Sequence, residues 1–217
     1  MIRVFRDRQD AGVELAGQLS RYAHDPKVVV LGLPRGGVPV AYQVARILEA
    51  PLEIFVVRKL GVPGHRELAM GAIASGGVQV LNPDVVTALR ISEPQIAAVA
   101  VQEQKELERQ QRAYRGDVPF PDLAGRILLV VDDGLATGST MRAAIKALRQ
   151  MRPARIVVGA PVAAEETCRN LATVADQVVC VSTPESFHAV STWYQEFSQT
   201  ADDEVRSLLE ASAHVAP

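Results

Sequence analysis

Five continuous apolar runs, spread along this 217-residue chain, constrain its fold more than any other feature. The runs are 27–33, 52–57, 127–131, 155–160 and 177–182. They are rich in β-branched residues, so each predicts a strand that is buried on both faces. Helix-forming segments alternate with them, which predicts an α/β fold with a parallel sheet and helices on both faces. Ligands of such sheets bind beyond the carboxyl ends of the strands.

The segment 126–141, RILLVVDDGLATGSTM, joins one of these strands to a loop that predicts a binding site. Asp132 and Asp133 stand where the strand ends, and residues 137–140 are small ones ahead of a helix that begins at about Ser139. Backbone N–H groups of such a loop, with the positive end of the helix, can surround a phosphate. The carboxylates would repel a phosphate and suit hydroxyls or a magnesium ion instead. An ordinary capped turn would explain 137–140 but not the adjacent acids.

Two further strand ends carry groups that suit an anion. Residues 34–37, PRGG, follow the first strand, and there Arg35 adds a fixed positive charge beside two glycines that allow a ligand close to the backbone. Arg58 and Lys59 follow the second strand, and alternation would send them to opposite faces. Alone, the PRGG turn is typical of an ordinary βα connection with a surface arginine. Parallel strands, however, bring all three ends to one crevice.

Composition limits the classes of partner and the cellular compartment that we expect for this chain. There are 23 Lys and Arg against 25 Asp and Glu, a formal net charge of −2, so bulk electrostatics predict no nucleic-acid partner. The N-terminal segment lacks the apolar centre of a signal peptide, and no apolar run approaches the length of a membrane span. We therefore expect a cytoplasmic protein without a membrane partner. Cys168 and Cys180 lack metal-ligand spacing and are expected to be free thiols.

Residues 132–140, Asp-Asp-Gly-Leu-Ala-Thr-Gly-Ser-Thr, resemble the signature loop of the type I phosphoribosyltransferases, which bind phosphoribosyl pyrophosphate (PRPP). The resemblance implies that Asp132 and Asp133 hold the ribose hydroxyls. It assigns the 5′-phosphate to Thr137, Gly138, Ser139 and Thr140, and it makes Ala136 a substrate-binding position beside them. The PRGG turn resembles the family's pyrophosphate loop, with Arg35, Gly36 and Gly37 as its contacts. Of the two basic residues after the second strand, Lys59 is preferred over Arg58 as a further pyrophosphate contact.

Most of the chain also resembles a group of bacterial predicted phosphoribosyltransferases of uncertain acceptor. The shared features are FRDR at 5–8, PRGG at 34–37, RKLG at 58–61 and WYxxF at 193–197. This likeness implies a single domain, 1–217. Its core is expected at about 1–60 and 125–182, an arm with a long helix at about 61–124, and a hood with a C-terminal helix at about 183–217.

The arm and the hood supply the remaining candidate residues. In the family a mobile loop closes over the substrates where this arm lies, and Glu67 is a candidate general base within it. In the hood, Trp193 and Tyr194 are candidates for stacking on an acceptor base. The alternative is that these aromatics form a minor core under the C-terminal segment.

The resemblance implies transfer of ribose 5-phosphate from PRPP to an acceptor, expected to be a nucleobase, with release of pyrophosphate. Arg35, Lys59 and Mg²⁺ would stabilise the leaving group, and Asp132 and Asp133 the positive charge on the ribose. Mg²⁺ is expected to be carried by the substrate, with the two aspartates as candidate protein ligands.

Three questions stay open in the sequence. The 6-oxopurine enzymes carry an aspartate where this chain has Ala136, which argues against hypoxanthine and guanine as acceptors. The Leu-Ala-Thr-Gly form is more similar to the adenine enzymes, but their arm and hood differ from those of this chain, so adenine is not named as the acceptor. A homodimer is expected, since the long helix before residue 115 has the mixed charges of a solvated or dimer-contacting helix. The alternative function is a non-catalytic sensor of PRPP or a nucleotide on the same fold.

Overall fold

The computed structural model describes residues 4–213, apart from the side chains of Arg66, Glu67 and Ala213. In chain order the strands are β1 (Val28–Gly32), β2 (Leu52–Ile54), β3 (Val57–Val62), β4 (His65–Ala74), β5 (Val78–Leu81), β6 (Ile127–Val131), β7 (Arg155–Val162) and β8 (Gln177–Ser182). The α-helices are α1 (Arg8–Gln18), α2 (Gly37–Leu48), α3 (Pro83–Ala88), α4 (Glu93–Arg115), α5 (Ser139–Gln150), α6 (Glu165–Leu171) and α7 (Asp202–Ala213). None of the helices in this range is both long and apolar enough to cross a membrane.

A five-stranded parallel sheet, in the order β2-β1-β6-β7-β8, forms the centre of the molecule and confirms the predicted α/β class. The chain moves outward from β1 to β2 on one side, and from β6 to β7 and β8 on the other. The direction therefore reverses between β1 and β6, whose last residues, Gly32 and Val131, are paired. In open α/β sheets the crevice beyond such a reversal is the usual place for a ligand.

Both faces of this sheet are buried along β1, β6 and β7, as continuous apolar strands require, whereas the edge strand β8 is only partly buried. On β1, Val28 and Val30 pack in a cluster with α1 and α2, whereas Val29 and Leu31 pack in a cluster with α5. Burial of each such side chain contributes about 1.5–3 kcal/mol. The two clusters hold the sheet rigidly, so the polar loops at its carboxyl edge rest on a fixed base.

The arm is a separate antiparallel sheet in the order β3-β4-β5, and it begins at Val57, earlier than predicted. The predicted strand 52–57 is wrong in its second half, because β2 ends at Ile54 and Val57 already pairs with Ala74 in the arm. Arg58 and Lys59 are therefore inside β3 rather than past the end of a core strand. The long helix α4 follows the arm, as predicted.

The hood and the N-terminal segment form one unit. Phe5 forms a parallel bridge with Tyr194, and the Phe5 N–H donates to the Trp193 carbonyl (2.9 Å). The side chains of these three residues pack in one cluster with Ala11 and Val162. Trp193 is 9% exposed and Tyr194 6%, which leaves little ring surface for a base to stack on. The minor-core alternative therefore describes both aromatics, and the stacking role does not fit their burial.

Candidate functional site

Two loops interlock at the carboxyl edge of the sheet, where β1 and β6 end. The Leu33 N–H donates to the Val131 carbonyl (3.0 Å), which joins the start of the PRGG turn to the end of β6. A Cβ atom on Gly36 would lie 2.0 Å from Asp133 Oδ2, and one on Gly37 would lie 2.7 Å from the Val131 carbonyl oxygen. At Gly37 the crowding atoms are backbone, so only glycine fits there, whereas a side chain at Gly36 would displace the Asp133 carboxylate. The two glycines therefore allow the acid pair and the PRGG turn to share one crevice.

The acid pair has an ordered arrangement within that crevice. Asp132 Oδ1 accepts a hydrogen bond from the Asp133 N–H (2.9 Å), and the Asp133 carbonyl accepts one from the Tyr194 hydroxyl (2.6 Å). Burial, and then the charge of Asp133, raise the pKa of Asp132 well above its usual range. Burial also raises the pKa of Asp133, while Arg8 opposes that shift. The crevice therefore holds two carboxylates that lack full compensation by protein groups.

Arg8, the first residue of α1, is a site residue that sequence reasoning missed. Its Nε donates to Asp133 Oδ2 at 2.9 Å, and both side chains are mostly buried. The two residues are 125 positions apart, so no local pattern could pair them. The FRDR motif at 5–8 was the one available signal, and it indicated kinship rather than a contact.

The loop 137–140 has the geometry of an anion cradle. Gly138 has φ 64°, a left-handed conformation that favours glycine, and α5 begins at the next residue. The Thr137 hydroxyl donates to Ser139 Oγ (3.2 Å), and the Thr167 hydroxyl of α6 donates to the Ala136 carbonyl. The first N–H groups of α5 have no partner within the helix, and that of Ser139 donates a long hydrogen bond to Thr137 Oγ1 (3.4 Å).

A second helix begins at the same crevice. The first residue of α2 is Gly37, the last residue of the PRGG turn, and its N–H donates to the Leu33 carbonyl (3.1 Å). The positive ends of the α2 and α5 dipoles therefore flank the acid pair from two sides. A ligand with phosphate at both ends and hydroxyls between them would match this distribution of charge.

The basic residues predicted for the site have different partners. Lys59 Nζ donates to Ser139 Oγ in the loop 137–140 (2.7 Å), whereas Arg58 donates to Glu103 of α4 (2.7 Å). The two side chains thus diverge, as alternation along a strand requires. Arg35 is in the PRGG turn, where its nearest acid is Asp202, at 3.8 Å in a partly exposed pair. Such a loose pair is weak and leaves Arg35 free to meet an anion.

A cavity of about 320 Å³ adjoins the loop 137–140, between the arm and α5. Its polar lining includes Thr137 and Ser139, and three cations: Lys59, Arg142 and Lys146. No acidic side chain lines it among the described residues. The surroundings of the loop 137–140 are therefore positive, in contrast to the acid pair a few residues earlier.

The residues present fit a magnesium ion that arrives with its ligand. The described part of the chain holds no cluster of three or more His, Cys, Asp or Glu side chains that could bind a metal alone. Asp133 already accepts from Arg8, which leaves Asp132 as the freer carboxylate. Mg²⁺ usually keeps waters and takes one or two carboxylates together with phosphate oxygens. The predicted base Glu67 is in β4, and its side chain lies outside the described residues.

Relatives of known name or structure share most of this chain. The family described as "Phosphoribosyl transferase domain" matches residues 6–196. Over 209 residues the chain is 45% identical to MT0597 of Mycobacterium tuberculosis (strain CDC 1551 / Oshkosh), and equally to Rv0571c of strain H37Rv, both provisionally named phosphoribosyl transferases. Each match covers 96% of this chain and 47% of the relative, so the chain spans about half the length of these proteins.

The solved structure of TT1426 is similar to this chain over nearly the whole length of both. TT1426 from Thermus thermophilus has a TM-score of 0.85 and 40% sequence identity, and the match covers 95% of this chain and 97% of that one. The family match and the crevice at the β1–β6 reversal agree with the resemblance that the loop 132–140 predicted. This chain therefore belongs to the phosphoribosyl transferase family.

Proposed function

We propose that this chain transfers ribose 5-phosphate from PRPP to an acceptor, expected to be a nucleobase, with release of pyrophosphate. One observation carries the proposal: the PRGG turn and the acid pair interlock, with a Gly36 Cβ position only 2.0 Å from Asp133 Oδ2. Sites for a pyrophosphate, a ribose and a phosphate thereby lie side by side. Membership in a family of transferases supports the same reaction class.

The 5′-phosphate fits the loop 137–140. The small residues leave room for an anion against the backbone, and the α5 dipole favours negative charge there. Lys59 Nζ, which lies 2.7 Å from Ser139 Oγ, adds a point charge at the edge of the cradle. The Thr167 hydroxyl donates to the Ala136 carbonyl at the start of this loop and fixes the loop backbone. The loop can therefore present its N–H groups without rearrangement.

The ribose fits the acid pair. Each carboxylate has one oxygen engaged by the protein, Oδ1 in Asp132 and Oδ2 in Asp133. The other two oxygens have no donor among the described residues, and they are not among its fully buried unpaired atoms. Two open acceptors beside each other match the two adjacent ribose hydroxyls, each of which donates one hydrogen bond.

The pyrophosphate fits the PRGG turn. Backbone groups at Gly36 and Gly37, the start of α2 and the Arg35 guanidinium all favour negative charge there. When bound with the substrate, Mg²⁺ would neutralise charge on the departing pyrophosphate oxygens. Asp132 is the protein group that would face the ion.

In the reaction, the bond from the anomeric carbon to pyrophosphate breaks, and its electron pair leaves with the pyrophosphate. The ring then carries positive charge, which the two aspartates stabilise electrostatically. A nitrogen of the acceptor forms the new bond and gives up its proton, for which Glu67 is the candidate base. Ala136 offers no side-chain group to an acceptor, which argues against a 6-oxopurine.

The test is to incubate the protein with Mg²⁺, PRPP and a panel of free bases, and to follow pyrophosphate release by ³¹P NMR. We expect release that depends on one base and is lost in Asp132→Asn. The matched control is Asp203→Asn, which makes the same change in a surface pair with Arg206 where the aspartate is 86% exposed. Heat of PRPP binding without release for any base would contradict the enzyme and favour the sensor alternative.

A further inference from the structure

Arg8 joins three segments that are far apart in the sequence. Its Nε donates to Asp133 Oδ2 (2.9 Å), and its Nη1 donates to the Ser198 carbonyl at the end of the hood (2.7 Å). Its guanidinium carbon lies 4.0 Å from the centroid of the Phe197 ring. Because α1 begins at Arg8, these contacts connect α1, the hood and the loop that follows β6.

The ion pair of Arg8 with Asp133 differs from the neighbouring pair of Arg6 with Asp10 in how far its arginine is buried. The side chains of Arg8 and Asp133 are 12% and 15% exposed, whereas Arg6 is 74% exposed in its pair with Asp10. A mostly buried pair is costly to break, because the remaining charge stays away from water. Arg6 therefore offers a matched control, with the same residue type two positions earlier.

Arg8 also faces the PRGG turn. A Cβ atom built on Gly36 would lie 3.2 Å from Arg8 Nη2. The same Cβ would lie 2.0 Å from Asp133 Oδ2, so both groups border the turn at Gly36. Within the described residues no acceptor is paired with Nη2, although Nε and Nη1 both have one. One guanidinium thus borders both the ribose acid and the turn proposed for pyrophosphate.

We propose that Arg8 is a positioning residue of this site: it holds Asp133 Oδ2, so that Asp133 Oδ1 stays turned toward the ribose hydroxyl. The inference rests on the proposed function. Through Ser198 and Phe197, the same side chain makes the hood and the N-terminal segment part of the ribose site. Loss of Arg8 would leave Asp133 free to rotate, and would weaken binding of the ribose without removing any group that touches it.

Calorimetry of PRPP binding in Mg²⁺ tests this role. We expect Arg8→Gln to weaken binding by about thirtyfold, within the range of about 10–100-fold that loss of a residue orienting a ligand-binding group usually costs. Arg6→Gln should stay within about twofold of the wild type, because the Arg6 side chain is 74% exposed and its partner is Asp10 rather than a member of the acid pair. Arg8→Lys keeps the charge but not the fork of donors, so it should recover part of the loss. If Arg8→Gln does not fold, Arg8→Lys compared with Arg6→Lys gives the same contrast.

A double-mutant cycle distinguishes action through Asp133 from a general effect on folding. In an Asp133→Asn background, Arg8→Gln should add less than about threefold, because its target is already gone. Unchanged PRPP affinity in Arg8→Gln, or full additivity in the cycle, would overturn this inference and leave the proposed function standing. A wild-type protein that gives no heat with PRPP and Mg²⁺ would overturn both.

Discussion

Gly37→Ala and Gly17→Ala are the same substitution with opposite expected effects. A Cβ on Gly37 would lie 2.7 Å from the Val131 carbonyl oxygen, 2.9 Å from Asp132 Cα and 3.0 Å from Asp132 Oδ1. Two of these atoms are backbone of β6 and its loop, which cannot move cheaply. A Cβ on Gly17, in the last turn of α1, would meet no atom within 4 Å.

The expected magnitudes follow from those distances. Overpacking of this kind costs about 1–3 kcal/mol, so Gly37→Ala should lower the free energy of unfolding by about 2 kcal/mol and the Tm by about 4–8 °C. Gly17→Ala should raise the free energy of unfolding by about 0.5–1 kcal/mol, because alanine favours the helix. Gly37→Ala should also weaken PRPP binding, since it displaces Asp132.

Urea unfolding provides the measurement, followed by far-UV circular dichroism and by fluorescence of Trp193, the chain's one tryptophan. Calorimetry with PRPP and Mg²⁺ on the same samples gives the binding constant. A Gly37→Ala protein as stable as the wild type, with the same affinity, would refute the interlock of the two loops. Equal losses of stability in both variants would also refute it. Gly17 is not crowded, so a loss of the same size there would mean that crowding is not the cause at Gly37.

Three other predictions use the same assays. Lys59→Gln should weaken PRPP binding about tenfold and leave stability unchanged. Arg58→Gln should leave the affinity unchanged and cost at most about 1 kcal/mol of stability, because it loses its ion pair with Glu103. The reverse pattern would mean that the two residues have exchanged roles. Burial raises the folded pKa of Asp132 above its unfolded value, so its contribution to stability is present at low pH and is lost as pH rises through the folded pKa. Asp132→Asn should therefore stabilise the ligand-free protein at pH 8 and lose that advantage toward pH 4; equal stability at both pH values would contradict it. Tyr194→Phe removes the 2.6 Å hydrogen bond to the Asp133 carbonyl and should cost about 1 kcal/mol in urea unfolding, and no loss would mean that this contact contributes nothing.

Local patterns predicted the parts of the fold that depend on nearby residues. The apolar runs gave the bounds of β6 and β8, and the small-residue loop placed the start of α5 at Ser139. The order of glycines and acids pointed to the crevice, because strand ends of a parallel sheet share one edge. The family resemblance was confirmed by the match over residues 6–196.

Features that depend on distant contacts could not be predicted in this way. The pairing of Arg8 with Asp133 spans 125 residues, and the chain leaves the parallel sheet after Ile54 to pair Val57 with Ala74 in the arm. Aromatic composition alone did not distinguish a base-binding surface from a small core, and Phe5 decides between them by packing on Tyr194. The acceptor, the homodimer and the role of Glu67 stay predictions.

The central claim is that one sugar phosphate spans the acid pair and the loop 137–140. A crystal structure with Mg²⁺ and a stable PRPP analogue tests it most directly. We predict the 5′-phosphate within hydrogen-bond distance of the backbone N–H groups of 138–140, and the ribose hydroxyls on Asp132 Oδ2 and Asp133 Oδ1. An analogue bound elsewhere, with its phosphate away from this loop, would contradict the account.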